Sequence, residues 1–120
     1  MKNLIEAIRK FNSERDWEQF HSPKNLAMAL SVEAAEIVEH LQWLTQEQSR
    51  NLEPEKLNQI KEEIADVMIF LFNLADKLGI DPIEAAEEKL FKNAKKYPVE
   101  KAKGRATKYT EFKDRGSSAS

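Results

Sequence analysis

Apolar residues recur along this chain at the three- and four-residue steps of an α-helix, and no segment shows the alternation of a half-buried strand. Leu4, Ile5, Ile8 and Phe11 predict a short amphipathic helix from about Lys2 to Arg15, followed by a polar and aromatic connection, Asp16 to His21. Ser22 is a natural N-cap and Pro23 suits the first helical position, where its missing N–H costs nothing. Leu26, Leu30, Ile37, Leu41 and Leu44 then form one stripe, so a second helix is expected to run to about Leu44. Thr45 to Leu52 reads as a polar loop. Pro54 opens a third helix that reaches about Leu78, where Gly79 supplies a left-handed C-terminal turn. Asp81-Pro82 repeats the cap-and-proline signal and starts a fourth helix, Ile83 to about Lys96, which Pro98 discourages from continuing. A basic segment follows, and Gly116 to Ser120 close a tail, residues 113–120, that reads as flexible.

The fold class is therefore all-α, a four-helix bundle in one domain over residues 1–112, since 120 residues support a single modest core. The third helix is apolar nearly all round between Ile64 and Ala75, more than one small bundle can cover. It should be central, with a second copy of the chain burying part of it.

Charge falls on this pattern in an unexpected place. Glu33 lies in the middle of the second helix's apolar stripe, and Asp66 is the only charged residue from Ile64 to Ala75, one turn after Glu63. An unpaired buried carboxylate costs several kcal/mol, on the order of what a small domain can spare. The chain thus offers Glu33-x-x-Glu36 on one helix and Glu63-x-x-Asp66 on another. Residues three apart on a helix are neighbours, roughly 5–6 Å between Cβ atoms, and packed axes lie about 8–10 Å apart. Four carboxylates can then meet at one point. Each like-charged pair repels by about 4 kcal/mol at 4 Å and an effective dielectric of about 20. Either divalent cations or buried lysine and arginine partners must answer that repulsion. All-oxygen ligands, without cysteine or a Glu-x-x-His pair, favour Mg²⁺ or Mn²⁺ over zinc and over a di-iron centre.

Composition narrows the choices. A net charge of −2 argues against a polymeric nucleic-acid partner, but nine acidic residues against three basic ones lie between Ser31 and Asp66, and eight basic against Glu100 alone between Lys89 and Lys108. Lys89, Lys92, Lys95 and Lys96 close the fourth helix. Singly they read as a solvated face that complements the helix dipole; together they suit a triphosphate. The absence of cysteine rules out disulfides and thiolate metal sites. No uncharged run approaches the roughly 20 residues of a membrane span, so a cytoplasmic protein is expected.

Several separated motifs, in order, then become familiar. Asn25-Leu26-Ala27, Glu33-Ala34-Ala35-Glu36, Gln42-Trp43 and Glu62-Glu63-Ile64-Ala65-Asp66-Val67 resemble the MazG-like all-α nucleoside triphosphate pyrophosphohydrolases. Arg15 to His21, Pro23, Tyr97-Pro98 and Lys108-Tyr109-Thr110-Glu111 are similar to the dCTP pyrophosphatase branch. The resemblance spans about Leu4 to Phe112. It implies hydrolysis of a (d)NTP, dCTP or a modified dCTP-like nucleotide first, to (d)NMP and pyrophosphate, a nucleotide-pool house-cleaning role. It also implies Mg²⁺ on Glu33, Glu36, Glu63 and Asp66, and assembly as dimers or dimers of dimers. Phosphate binding would fall to Lys89, Asn93 and Tyr97, and the base pocket to Trp17, His21 and Trp43. Without the resemblance Trp43 is as readily a helix-end core residue, and His21 a structural loop residue.

Two departures stand out. Phe70 occupies a position where the branch commonly carries a tyrosine, which takes a hydroxyl out of base or sugar recognition. Val32 precedes Glu33 where many relatives carry a glutamate, so the general base is open: Glu62 and Glu39 lie within one turn of the cluster, beside Glu36. Lys108 and Tyr109 look able to reach over a site, a neighbour's included. The rival from another class is a helical oligomeric regulatory or nucleotide-binding module without catalysis.

Overall fold

The computed structural model describes residues 2–104, and within them the chain is helical throughout, with no strand. The four long helices are α1 (Lys2–Glu14), α2 (Pro23–Leu41), α4 (Pro54–Lys77) and α5 (Pro82–Lys96); two short ones, α3 (Gln46–Arg50) and α6 (Val99–Ala102), are added. The expected count of four is thus the count of long helices. The loop expected at Thr45 to Leu52 contains α3, because Thr45 and Gln48 form a reciprocal capping box: Thr45 Oγ1 accepts from the Gln48 amide at 3.1 Å and Gln48 Oε1 from the Thr45 amide at 2.9 Å. Helix α2 stops three residues short of the expected Leu44. Gln42 is its C-cap, and Trp43 and Leu44 lie beyond it.

Two helices end in the same way. At the end of α4, the Gly79 amide donates to Asp76 O at 3.1 Å and the Ile80 amide to Ala75 O at 2.8 Å, with Gly79 at φ 69°. This is the paired closure that a left-handed residue makes after a helix. Helix α1 ends on the same bonds, Asp16 to Ser13 O at 3.1 Å and Trp17 to Asn12 O at 3.0 Å, but with Asp16 at φ 53° in the glycine position. Aspartate tolerates that conformation better than most residues, and Gln19 Nε2 donates to both its side chain and its carbonyl at 3.0 Å. The turn sends the chain through a 3-10 segment, Glu18–Phe20, into the Ser22 cap of α2.

The chain divides at Ile80–Asp81 into two compact units. In the first, α2 packs along α4, and α1 joins α4. Leu26, Ile60, Phe72, Ala75 and Ile8 are its buried apolar residues. Leu30, Ile37, Leu41 and Leu44 are half-buried, so the stripe expected from their spacing faces inward. A polar pair also lies inside: Asn12 Nδ2 donates to buried Asn73 Oδ1 at 2.8 Å, joining α1 to α4, while Arg9 makes a two-pronged ion pair with Asp76 (Nη2 to Oδ1 at 2.6 Å, Nε to Oδ2 at 3.0 Å). In the second unit Asp81 caps α5, its Oδ1 accepting from Ile83 and Glu84 amides at 3.0 and 3.2 Å.

Among the described residues five buried apolar side chains are few, and large side chains remain uncovered. Leu57, Ile64, Met68 and Leu71 are exposed on α4 at spacings of seven, four and three, as are Met28 and Val32 on α2.

Asn12→Ala leaves the buried Asn73 amide without its partner and should destabilise the protein by about 1–3 kcal/mol. Urea unfolding followed by circular dichroism reads the change as a lower midpoint at unchanged slope.

Candidate metal and nucleotide site

The α2–α4 contact brings the expected acidic residues together. Glu33, Glu36 and Glu63 are half-buried, and each can place a carboxylate oxygen within 4.8 Å of the other two. Asp66 is outside that trio and exposed, yet its charge is felt by Glu33. Burial pushes the Glu33 carboxyl above its usual range, and contact with Glu36, then the charges of Glu36 and Asp66, push the same way, against a smaller opposing effect of Glu63. Glu63 is pushed up to about 7, chiefly by sharing a proton with Glu36, then by burial and by the charges of Glu36 and Glu33. When all three are ionised there is no proton to share. Glu33 Oε2 and Glu63 Oε2 are buried with no hydrogen-bond partner.

Orphaned anionic oxygens on converging glutamates are what a hard divalent cation would satisfy, so the residues present fit such an ion. No lysine or arginine is paired with Glu33, Glu36 or Glu63 among the described ion pairs. The neighbour of Glu63 is His40 instead, with Nε2 3.9 Å from Glu63 Oε1, and Lys56 Nζ lies 3.3 Å from His40 Nδ1. Neither was expected from the sequence. The available signal was spacing, since His40 follows Glu36 by four residues and Glu33 by seven and so shares their helix face.

Trp17 is partly exposed and meets the Phe11 ring edge-on, with centroids 5.5 Å apart; the Arg15 guanidinium lies 3.7 Å over the other aromatic, Phe11. His21 is half-buried, with Nδ1 lacking a partner. Burial lowers its pKa and the nearby Lys77 charge lowers it further, partly opposed by Glu18, so the neutral ring is favoured. Phe70 is half-buried. Trp43, by contrast, is 86% exposed, which makes it no core residue of this chain. Glu39 and Glu62 are both exposed to solvent.

In the second unit Lys89 has its pKa lowered by the charge of Lys96 first, then by hydrogen bonding to it, burial and Lys92. Asn93 is half-buried and Tyr97 forms the C-cap of α5. Positive charge is dense there. Lys108, Tyr109 and the tail from residue 113 lie outside the described residues.

A profile of the MazG-like family matches residues 28–112. The chain belongs to the MazG-like family. Among its MazG-like relatives, dCTP pyrophosphatase 1 of Mus musculus is 39% identical over 114 residues, covering 90% of this chain and 67% of that protein. The Homo sapiens protein of the same name is 38% identical over the same length and coverage. A solved structure of a pyrophosphatase from Archaeoglobus fulgidus is 40% identical, with a TM-score of 0.77 over 82% of this chain and 92% of that one. The expected enzyme class, a nucleotide pyrophosphohydrolase, holds for this MazG-like chain. No described helix is long and apolar enough to cross a membrane.

The raised Glu63 pKa has a sign that can be measured. Between an unfolded value near 4.5 and the folded value of about 7, the folded state binds more protons, so this group's stabilising contribution is complete below about 4.5 and is lost as pH rises through about 7. In metal-free buffer, Glu63→Gln should therefore melt above the wild type at pH 8, with the gap closing towards pH 5. Thermal melts in EDTA across that range check it.

Proposed function

We propose that this MazG-like enzyme is a Mg²⁺-dependent nucleoside triphosphate pyrophosphohydrolase. Its preferred substrates are dCTP or a modified dCTP-like nucleotide, converted to the monophosphate and pyrophosphate in nucleotide-pool house-cleaning. The observation that carries the reading is the trio Glu33, Glu36 and Glu63 with two buried, partnerless carboxylate oxygens. The substrate follows the relatives, which are named for dCTP.

In this reading Glu33, Glu36 and Glu63, with Asp66, hold the cation; Mn²⁺ has the right hardness to replace Mg²⁺. When bound, the ion supplies positive charge to offset the phosphate oxygens and makes water more acidic. The chain's residues do the rest. Lys89, Asn93 and Tyr97 bind phosphate oxygens, with lysine and tyrosine donating where charge grows as the α–β bridging bond breaks. Water oxygen bonds to the α-phosphorus, the bridging oxygen leaves with pyrophosphate, and the water proton passes to a carboxylate, Glu39 or Glu62, both of which solvent reaches. Trp17 offers a flat face and neutral His21 an unpartnered Nδ1 to a base. Phe70 contributes only apolar surface. Lys108 and Tyr109 keep the covering role that the resemblance implies, and residues 1–112 form the catalytic domain in the cytoplasm.

The exposed stripe of Leu57, Ile64, Met68 and Leu71 supports a homo-oligomer, a dimer or a dimer of dimers. The same assembly would give the 86% exposed Trp43 a surface to work against.

With dCTP and Mg²⁺ the products should be dCMP and pyrophosphate by ion-exchange chromatography; dCDP and orthophosphate would place the cleavage at the wrong bond. Glu36→Gln and Asp66→Asn should each lower turnover by about 100-fold or more, since several kcal/mol of charge stabilisation are at stake at about 1.4 kcal/mol per tenfold. Their helical circular dichroism should be unchanged. Met68→Asp should shift light scattering towards monomer, and an unchanged oligomer would remove the stripe from the interface.

A further inference from the structure

The imidazole of His40, in the last turn of α2, sits between two residues of α4 that are seven positions apart, Lys56 and Glu63. Seven residues are two turns, roughly 10 Å of helix axis, so both face α2 from the side that carries buried Ile60. All three side chains are half-buried. Lys56 Nζ lies 3.3 Å from His40 Nδ1, and an ammonium group has donors but no acceptor. Nδ1 must therefore present its lone pair, which leaves the ring hydrogen on Nε2. That is the nitrogen aimed at Glu63 Oε1, 3.9 Å away, while Glu63 Oε2 is buried without a partner.

We propose that His40 is a positioning residue for the cation site: its Nε2–H holds Oε1 of Glu63 and so turns Oε2 to the metal, and Lys56 sets the tautomer that makes this possible. At 3.9 Å the contact is electrostatic, longer than a hydrogen bond. The arrangement matches how carboxylate ligands are usually oriented, by a donor on the oxygen that does not face the ion. The inference rests on the assignment of Glu33, Glu36 and Glu63 as cation ligands.

The test measures Mn²⁺ binding to the metal-free full-length protein by electron paramagnetic resonance, with nucleotide hydrolysis as a separate readout. His40→Leu keeps a side chain of similar size but removes the donor, and should weaken Mn²⁺ binding by about 10- to 100-fold. His40→Gln, which restores an N–H at similar reach, should recover most of that loss. Lys56→Met should weaken binding in the same direction, and the double variant His40→Leu with Lys56→Met should bind no worse than His40→Leu alone, because Lys56 acts through the ring. A merely packing role predicts lower melting temperatures with unchanged Mn²⁺ affinity. Wild-type affinity in His40→Leu, or additive losses in the double variant, overturns the proposal; should the leucine variant not fold, failure of Lys56→Met to change affinity does the same. A wild-type protein that binds no Mn²⁺ overturns the ligand assignment itself, and the two failures are therefore told apart.

Discussion

The packing of α2 along α4 is the contact on which the rest depends, because the same face that buries Leu26 and Ile60 also presses Glu33, Glu36 and Glu63 together. Apolar burial is favourable and non-directional. Carboxylate repulsion at this range opposes it. Protein groups leave the conflict unresolved, as the raised Glu33 and Glu63 pKa values and the two orphaned oxygens record. A group carrying that much unanswered charge could hold a divalent cation.

The surroundings of that contact differ in how they are held. Helix α1 is tied to α4 by the buried Asn12–Asn73 bond and the Arg9–Asp76 pair, and its left-handed Asp16 turns the chain so that Trp17 stands edge-on to Phe11. A glycine would adopt that turn with less strain, as Gly79 does at the end of α4. Aspartate contributes instead an acceptor for Gln19. On α4 the apolar residues Leu57, Ile64, Met68 and Leu71 keep much of their surface exposed, so the helix that carries Glu63 inward also offers apolar surface to solvent.

His40 shows how one side chain can serve both demands. Its ring is half-buried, and its two nitrogens face a cation of the protein and an anion of the cluster. Relatives named as pyrophosphatases share about two fifths of the sequence. The Lys56–His40–Glu63 line lies in the α2–α4 seam.

Local sequence determined the four long helices through short-range signals: a three-and-four apolar rhythm, a proline at the start of α2, α4 and α5, a Ser22 or Asp81 cap on α2 and α5, and a glycine stop after α4. It also determined which carboxylates were out of place, since a charge inside an apolar stripe is visible without coordinates. The helix α3 was readable in principle from Thr45 and Gln48, but its polar surroundings hid it. Only the tertiary structure decided that three of the four acids converge while Asp66 stays in solvent, that Trp43 stands exposed past the end of α2, and that His40 lies between Lys56 and Glu63. Spacing along one helix assigns a residue to a face. Which residue of another helix meets that face depends on the offset and crossing of two packed surfaces, and no local pattern encodes it.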